Sequence, residues 1–540
     1  MSLIIFFLSF FWFLILTKKL FFWLWLWQLK DYHLWRFREH FETEKGKKLI
    51  LNWLNFIKLG VIFGLFLFFP IFIFPLFFLF FSEAGLTLWH LFKRTFRTPV
   101  QTFKTKVILA SGFGLEVFLF LLLKSRFSGK EFYLGLVLVD FLAPIIFSLL
   151  ILAFQPLTVI LRNRVLAKAR KKREEFKNLT VVAITGSYGK TSTKEFLATI
   201  LSGKQKVLKT EKHQNSEIGI SQCILEKLKP EHEIFICEMG AYRQGGIKLL
   251  CDITKPKIGI LTGINEQHLG TFGSLEKIIE TKFELIKSLP ENGIAILNYD
   301  NELIKERVES IKYKVSGIKY QAYKVSEKKL CSAKKLIKDL VVEKTFLSFK
   351  MVSEKGESIN FRVNLAGKQN IENLVLAISC AKELGMSLEE ITRACQKIRP
   401  LEKTMELKEG RGGVLIIDSS YSANPEGVMA ALEHLKLFSG RKIIVMPCLI
   451  ELGKASKEIH QKIGEKIGEA VDLAIITTKD RFQEIRMGAI KTGLKEENIL
   501  FLDSPEKIFE KLKPDCVAPN VILLQSRVPE KLINLLLLNK

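Results

Sequence analysis

Tryptophan is absent after Trp89 and cysteine is absent before Cys223 in this chain of 540 residues. The eight cysteines form no C-x-x-C pair and no Cys/His ligand spacing. That excludes a disulfide framework or a structural zinc site and suits a reducing cytosol. Acidic residues are also scarce, 56 Asp and Glu against 81 Lys and Arg, for a net charge of +25. The excess does not indicate nucleic-acid binding, because the lysines are spread over many helix faces and no RNA- or DNA-binding motif accompanies them. Solvated basic faces and an anionic membrane surface account for it instead. No small-residue cleavage site follows the apolar N-terminus, so a removed signal peptide is not expected.

Long apolar runs fill the first third of the chain. Leu3 to Leu16 is followed, after Lys18 and Lys19, by Leu20 to Trp27; Leu59 to Phe81 contains Pro70 and Pro75; Val107 to Leu123 and Phe132 to Phe154 complete the set. About 20 apolar residues cross a hydrocarbon core of about 30 Å, so residues 1–157 are expected to form a membrane region of about four segments. Trp23, Trp25 and Trp27 suit a membrane–water interface. A basic juxtamembrane linker, 158–177, carries Arg162, Arg164, Lys168, Arg170, Lys171, Lys172, Arg173 and Lys177, which argues for a cytoplasmic exit. The stretch from Gln28 to Lys58 is basic too. Four full crossings would put the two on opposite sides, so one segment is expected to be re-entrant or interfacial. Glu116 and Asp140 lie inside apolar stretches and are candidates for function, or for packing into a helix interior.

From Leu179 the pattern becomes α/β. Strand-like runs at 180–185, 234–238, 258–262 and 293–297 alternate with helical stretches near 191–201, 217–228 and 274–288, the rhythm of a parallel sheet covered by helices. Residues 312–364 alternate polar and apolar positions and suggest an antiparallel insertion. A domain at 178–400 is expected, followed by a smaller Rossmann-like domain at 401–540, with strands at 414–417, 442–446, 473–477, 499–502 and 521–524.

The run Val181–Ile184 ends in Thr185-Gly186-Ser187-Tyr188-Gly189-Lys190-Thr191-Ser192, where a helical pattern opens. Glycines let backbone N–H groups face an anion, and the helix N-terminus adds partial positive charge. Lys190 would reach outer phosphates and Thr191 would hold Mg²⁺. The sequence departs from G-x-x-x-x-G-K-[ST] at Ile184, so an ordinary strand–turn–helix corner is the competing reading. Further strand ends aim Glu238, then His268 and Lys282, then Asn298 and Asp300 toward the same sheet edge, where open α/β sheets bind ligands.

Together with Glu238-Met239-Gly240, His268-Leu269, Phe272-Gly273-Ser274 and Lys282-Phe283-Glu284, the cradle resembles the Mur ligase family of ATP-dependent amide-bond-forming enzymes of peptidoglycan precursor synthesis. Gly367-Lys368-Gln369-Asn370-Ile371-Glu372-Asn373 resembles that family's adenine-side segment. Asp418-Ser419-Ser420-Tyr421-Ser422-Ala423-Asn424-Pro425 and Glu451-Leu452-Gly453, with His460, are most similar to the MurF type, which adds D-alanyl-D-alanine. The resemblance covers 178–540. It implies that Gly186, Ser187, Gly189, Lys190, Thr191, Ser192, Asn298, Asp300, Asn370 and Asn373 hold ATP. It implies two Mg²⁺ ions, one on Thr191 and Glu238 and one on His268 and a carbamylated Lys282. Lys190, Lys282, His268 and Asp418 would be catalytic, and Asp418, Tyr421 and Asn424 would close over the phosphate and the amine substrate.

The last domain departs from the type at Ser419, Ser422, Thr404, Gln369 and Pro447-Cys448-Leu449. Members of this type carry a soluble uridine-nucleotide-binding domain where this chain has apolar segments. The acceptor is therefore expected to be muramoyl-peptide-like or lipid-linked, joined to an amino acid or dipeptide amine. The expected setting is multi-pass in a bacterial-type inner membrane, in contact with membrane lipid, with cytoplasmic catalytic domains. Polyglutamate-adding or amidating ligases and a non-catalytic ATP-binding scaffold are the alternatives.

Overall fold

The computed structural model describes residues 2–537 except 31, 33, 43, 94, 212–213, 314–326, 332–335, 353–357 and 422. Ser422 and parts of the expected insertion at 312–364 lie outside the described residues. The chain divides into two compact units, Met1–Asn163 and Arg164–Lys540.

The first unit is helical: α1 (Ser2–Leu29), α2 (Leu34–Glu42), α3 (Glu44–Ile50), α4 (Trp53–Phe68), α5 (Ile73–Phe92), α6 (Phe103–Arg126), α7 (Gly129–Ala153) and the start of α8 (Gln155–Glu175). Among the described residues five helices are long and apolar enough to cross a membrane: Leu3–Leu29, Gly46–Phe68, Ile73–Phe92, Phe103–Arg126 and Gly129–Glu175. The expected number was four. The stretch 59–81 is two helices, because the chain turns at Phe69–Phe72, around Pro70, which has no N–H to continue a helix. Pro75 sits in the first turn of α5, where an N–H has no partner within the helix anyway.

Side-chain pairs fix the directions. Trp12 Nε1 donates to Leu136 O at 2.8 Å, Lys19 meets Asp140 and Trp27 Nε1 donates to Ser148 Oγ at 3.0 Å, so α1 and α7 run parallel. Lys58 meets Asp140 and Phe69 meets Tyr133, so α4 runs antiparallel to α7. Phe13 against Phe120 and Phe21 against Phe113 make α6 antiparallel to α1. Lys58, Glu83 and Asp140 are buried and paired, as charges in an apolar bundle require. Lys58 Nζ lies 2.6 Å from both Glu83 Oε2 and Asp140 Oδ2, and Lys19 Nζ lies 2.5 Å from Asp140 Oδ1. Asp140 therefore packs into the helix interior as half of an ion-pair network, and Glu116 is buried against the Thr17 hydroxyl at 3.4 Å.

The second unit is built on two sheets. The larger follows the order β2 (Val207–Lys209), β3 (Ile234–Glu238), β1 (Thr180–Thr185), β4 (Ile258–Leu261), β5 (Ile294–Asn298), β6 (Glu327–Cys331), with every pair parallel. Its helices are α9 (Lys190–Leu201), α10 (Glu217–Lys227), α11 (Gly246–Thr254), α12 (Leu269–Phe272), α13 (Leu275–Lys287) and α14 (Glu302–Tyr313). Alternate residues of β1 feed opposite cores: Val182 and Ile184 face a cluster with Phe196, Leu374 and Ile378, while Val181 and Ala183 face one with Cys237, Leu250 and Phe283. β1 is the first strand of the unit yet lies inside the sheet, so the connections diverge around its C-terminal end and open a crevice there. Of the antiparallel insertion expected at 312–364, the later part is a three-stranded sheet of β7 (Ile337–Val342), β8 (Leu347–Val352) and β9 (Ser358–Val363), whereas β6 within that range joins the main sheet in parallel. Helices α15 (Asn370–Glu383) and α16 (Leu388–Cys395) follow.

The second sheet runs in the order β10 (Glu406–Glu409), β11 (Leu415–Ser419), β15 (Val521–Gln525), β12 (Lys442–Met446), β13 (Leu473–Ile476), β14 (Ile499–Phe501). All its pairs are parallel except β10 with β11. Helices α17 (Pro425–Leu435), α18 (Ser456–Ala470), α19 (Phe482–Lys491), α20 (Pro505–Leu512) and α21 (Glu530–Leu536) cover it.

Candidate active site

The turn after β1 depends on two glycines. Gly189 has φ +78°, and a Cβ there would stand 2.4 Å from Asn373 Oδ1; a Cβ on Gly186 would stand 2.1 Å from Thr262 Oγ1. Only glycine fits either place. Ser187 N donates to Gly263 O at 2.6 Å, Asn265 N donates to Ser187 Oγ at 3.3 Å, and the Thr262 hydroxyl donates to Tyr188 O, so the loop after β4 clamps the turn. Lys190 Nζ folds over the turn and donates to Gly186 O at 2.8 Å and Ser187 O at 3.0 Å. Burial lowers its pKa against the attraction of Glu238. Ser192 follows, half-buried in the first turn of α9.

Thr191 Oγ1 donates to Glu238 Oε2 at 3.0 Å, bringing a hydroxyl and a carboxylate from two adjacent strand ends together. Asn215 Nδ2 donates to Glu238 Oε1 at 3.2 Å, Lys194 Nζ lies 3.5 Å from Oε2, and Glu238 N donates to Thr210 Oγ1 at 3.1 Å. Clustered oxygen donors of this kind suit Mg²⁺.

His268 caps α12 with φ +69° and pairs through Nδ1 with the Glu451 carboxylate, which comes from the second sheet's domain. A histidine tied to a carboxylate through one nitrogen presents the other as a ligand. Burial lowers its pKa, opposed by Glu451 and aided by Lys282 and Lys190. Tyr242 packs edge-on to its ring at 5.2 Å. Lys282, buried on α13, has its pKa pushed down to about 7 by burial and then by the Lys190 charge. Among the described residues no group of three or more His, Cys, Asp or Glu gathers as a metal site. The donors present are instead a hydroxyl, a carboxylate, an imidazole and a lysine amine, and a carbamate on that amine would supply the missing anionic oxygen.

Asn298 Nδ2 donates to Thr262 O and to Glu372 Oε2, both at 2.7 Å, and Asp300 N donates to Asn298 Oδ1 at 3.1 Å. Asn373 reaches the cradle, accepting from Thr193 Oγ1 at 3.3 Å, whereas the Asn370 side chain donates to Ala366 O at 2.8 Å in its own turn. Asp418 is fully buried at the end of β11, 2.7 Å from Lys408 Nζ, and accepts from Ser420 N and Oγ. Tyr421 is half-exposed, and Asn424 caps α17 by accepting from Gly427 N at 2.8 Å.

Two contacts that sequence reasoning missed join the domains of this unit: Asn265 Nδ2 donates to Glu426, and Glu451 meets His268. His460 lies behind the second. Its Nε2 accepts from Leu449 N at 2.9 Å and its Nδ1 meets Ser456 O at 2.5 Å, which fixes the loop carrying Glu451. Glu451 at φ +67° and Gly453 at φ +52° turn that loop onto α12, where Gly270 N donates to Glu451 O at 3.2 Å.

Residues 184–381 match the Mur ligase middle domain and 405–527 the Mur ligase, glutamate ligase domain, together more than half of the chain. The chain belongs to the Mur ligase family. Its relatives include the UDP-N-acetylmuramoyl-tripeptide–D-alanyl-D-alanine ligases of Synechocystis, 31% identical over 55% of this chain and 60% of that one, and of Escherichia coli, 30% identical over 53% and 61%. The chain thus spans about three fifths of the length of these Mur ligases. The MurF ligase of Thermotoga maritima in complex with ADP superimposes with a TM-score of 0.59 at 27% identity, over 69% of this chain and 83% of that one. MurF from Acinetobacter baumannii shares the fold at the same TM-score and 24% identity, over 69% and 80%.

Proposed function

We propose that this chain is an ATP-dependent, ADP-forming amide ligase of the MurF type, acting in peptidoglycan precursor synthesis. The observation that carries the reading is the glycine cradle with Thr191 Oγ1 3.0 Å from Glu238, on a chain with both Mur ligase domains. The shared name of the curated relatives favours D-alanyl-D-alanine addition over polyglutamate addition, amidation or a non-catalytic scaffold.

In this reading an acceptor carboxylate oxygen bonds to the γ-phosphorus of ATP as the bond to the bridging oxygen breaks and ADP leaves. The incoming amine nitrogen then bonds to the acyl carbon, the carbon–oxygen bond to phosphate breaks, and the amine gives up a proton. Lys190 neutralises charge on the outer phosphates, the electrostatic positioning on which phosphoryl transfer relies. Thr191 and Glu238 would hold one Mg²⁺, and His268 and carbamylated Lys282 a second; these ions would supply further charge neutralisation. Asn298, Asp300 and Asn373 line the nucleotide side. Asp418, Tyr421 and Asn424 belong to the domain that closes over the acyl phosphate and excludes water.

The helical unit replaces an acceptor-gripping domain in this reading, spans the membrane, and keeps the ligase domains on the cytoplasmic side, with a muramoyl peptide or its lipid-linked form as acceptor. The test is ADP release by the full chain with muramoyl tripeptide, soluble or lipid-linked, and D-alanyl-D-alanine, with product mass as readout. ATP binding without amine-dependent phosphate release would leave the scaffold reading standing instead.

A further inference from the structure

Helix α17 opens directly after the stretch that carries Tyr421 and Asn424, and the Mur ligase middle domain grips it at both ends. At the N-terminal end, Glu426 in the first turn accepts from Asn265 Nδ2. At the C-terminal end, His434 is buried and donates through Nε2 to Lys344 O at 3.2 Å, in the turn between β7 and β8. The Lys344 ammonium lies over the Phe438 ring at 5.4 Å, and that ring stands edge-on to His434 at 5.6 Å. From Glu426 to His434 is eight residues of α17, or about 12 Å at 1.5 Å per residue. Two anchors that far apart fix the direction of a helix as well as its place.

Asn265 spends every polar atom of its side chain on these links. Its backbone N donates to Ser187 Oγ in the phosphate turn at 3.3 Å, its Oδ1 accepts from Gln267 N at 3.0 Å, and its Nδ2 donates to Glu426. One buried residue thus joins the turn after β1, the loop leading to His268 and the helix behind Asn424. A buried network whose members are all satisfied holds its parts in a single arrangement. Asn424 Oδ1 accepts from Gly427 N at 2.8 Å, so that residue moves with the first turn of α17.

The charge of Glu426 is not what the place uses. Burial raises its pKa, Glu266 and Glu372 add to the rise, and its own backbone N–H and Asn265 oppose it. Phosphates in the cradle would bring more negative charge. The place calls instead for an acceptor facing the Asn265 amide, because a buried donor left without one is costly.

We propose that Glu426 is a positioning residue for the amine step, holding Tyr421 and Asn424 in register with the phosphate turn through Asn265. This deepens the ligase reading proposed above and rests on it. The acyl phosphate forms on the side of the turn, and the amine arrives from the side of Tyr421 and Asn424. Reacting atoms must be held about 3–3.5 Å apart, so a loosened contact costs turnover rather than nucleotide affinity.

The experiment uses the full chain in phosphatidylcholine nanodiscs with ADP bound, and reads amide hydrogen exchange over 186–192 and 424–430 by mass spectrometry. E426A should speed exchange at least fivefold in both segments, although only one contains the substitution. E426Q, which keeps an acceptor and drops the charge, should leave both within twofold of the wild type. N265D sets carboxylate against carboxylate and should match E426A. N265D/E426Q reverses the direction of the hydrogen bond and should recover. ADP affinity within threefold of the wild type in every variant reports that the protein is folded. In ligation of muramoyl tripeptide with D-alanyl-D-alanine, kcat should fall about tenfold or more in E426A and N265D. KM for ATP should stay within threefold, and N265D/E426Q should regain most of the lost turnover.

Faster exchange confined to 424–430 would make the contact local to the helix, and a loss in E426Q equal to that in E426A would make charge its purpose; either overturns the proposal. Failure of N265D/E426Q to recover, or an unchanged kcat in E426A, overturns it too. A wild-type chain that releases no amine-dependent phosphate would overturn the ligase reading, and the exchange pattern would still decide whether Glu426 ties α17 to the phosphate turn.

Discussion

Lys282 sits in surroundings far from those of an ordinary lysine. A lysine with the usual pKa of about 10.4 is neutral in only about one molecule in 2,500 at pH 7, but burial and the Lys190 charge push this one down to about 7. The neutral amine is the form that adds CO₂, so the carbamate should accumulate as pH rises through about 7 and be lost on the acid side. With ¹³C-bicarbonate, a carbamate resonance is expected at pH 8, much weaker at pH 6 and absent in Lys282→Ala. That variant should also lose most ligase activity, with partial rescue by short carboxylic acids; undiminished activity would remove the carbamate from the mechanism. Gly189 makes a second point at this scale. Its φ of +78° costs an L-residue about 1–2 kcal/mol, and the added methyl would press on Asn373. Gly189→Ala should weaken ADP binding at least tenfold by calorimetry while leaving the helical unit's thermal transition in place.

At the level of elements, the loop carrying Glu451 and the short helix α12 meet as a latch between the two domains of the ligase unit. Removing a carboxylate that orients a ligand histidine usually costs 10–100-fold in metal affinity or activity. Glu451→Gln is expected to lower Mg²⁺-dependent turnover in that range with ADP affinity nearly unchanged; a comparable loss of ADP affinity would mean the latch shapes the nucleotide site itself. The parallel sheet was legible because its strands are continuous apolar runs, and the cradle because Gly186, Gly189, Lys190 and Thr191 are neighbours in sequence. The three residues of β2 and the polar edge strand β10 carry too little pattern to stand out. Glu451 and His268 were both noted, yet their contact spans 183 positions and is set by two left-handed residues that leave no trace in periodicity. Asn370, expected on the nucleotide side, donates its amide to the carbonyl of Ala366, a local contact that carries no signal in the sequence.

If the first unit spans a bilayer, as proposed, the number of its crossings decides which loops share a side. Four apolar segments left the basic stretch at 28–58 and the basic run after 158 on opposite sides, a conflict that came from reading 59–81 as one span. With the turn at Phe69–Phe72 dividing it, five crossings put the loops holding Lys30, Lys47 and Lys48, then Lys93 and Arg97, then Arg162 and Arg164 all on one side. Of the opposite turns, 69–72 carries no charge and 127–128 is flanked by only Lys124, Arg126 and Lys130, with Glu131 beside them. The basic excess lies with the first set of loops, the side that the positive-inside rule would make cytoplasmic if the unit spans a membrane. The native cysteines allow a direct test: those described are buried except Cys516, and none precedes Cys223, so engineered cysteines in the first unit report over a low background. In intact cells a membrane-impermeant maleimide should label Ile71→Cys readily and Thr98→Cys only after permeabilisation. Labelling of both from outside would return the unit to four crossings or a re-entrant segment.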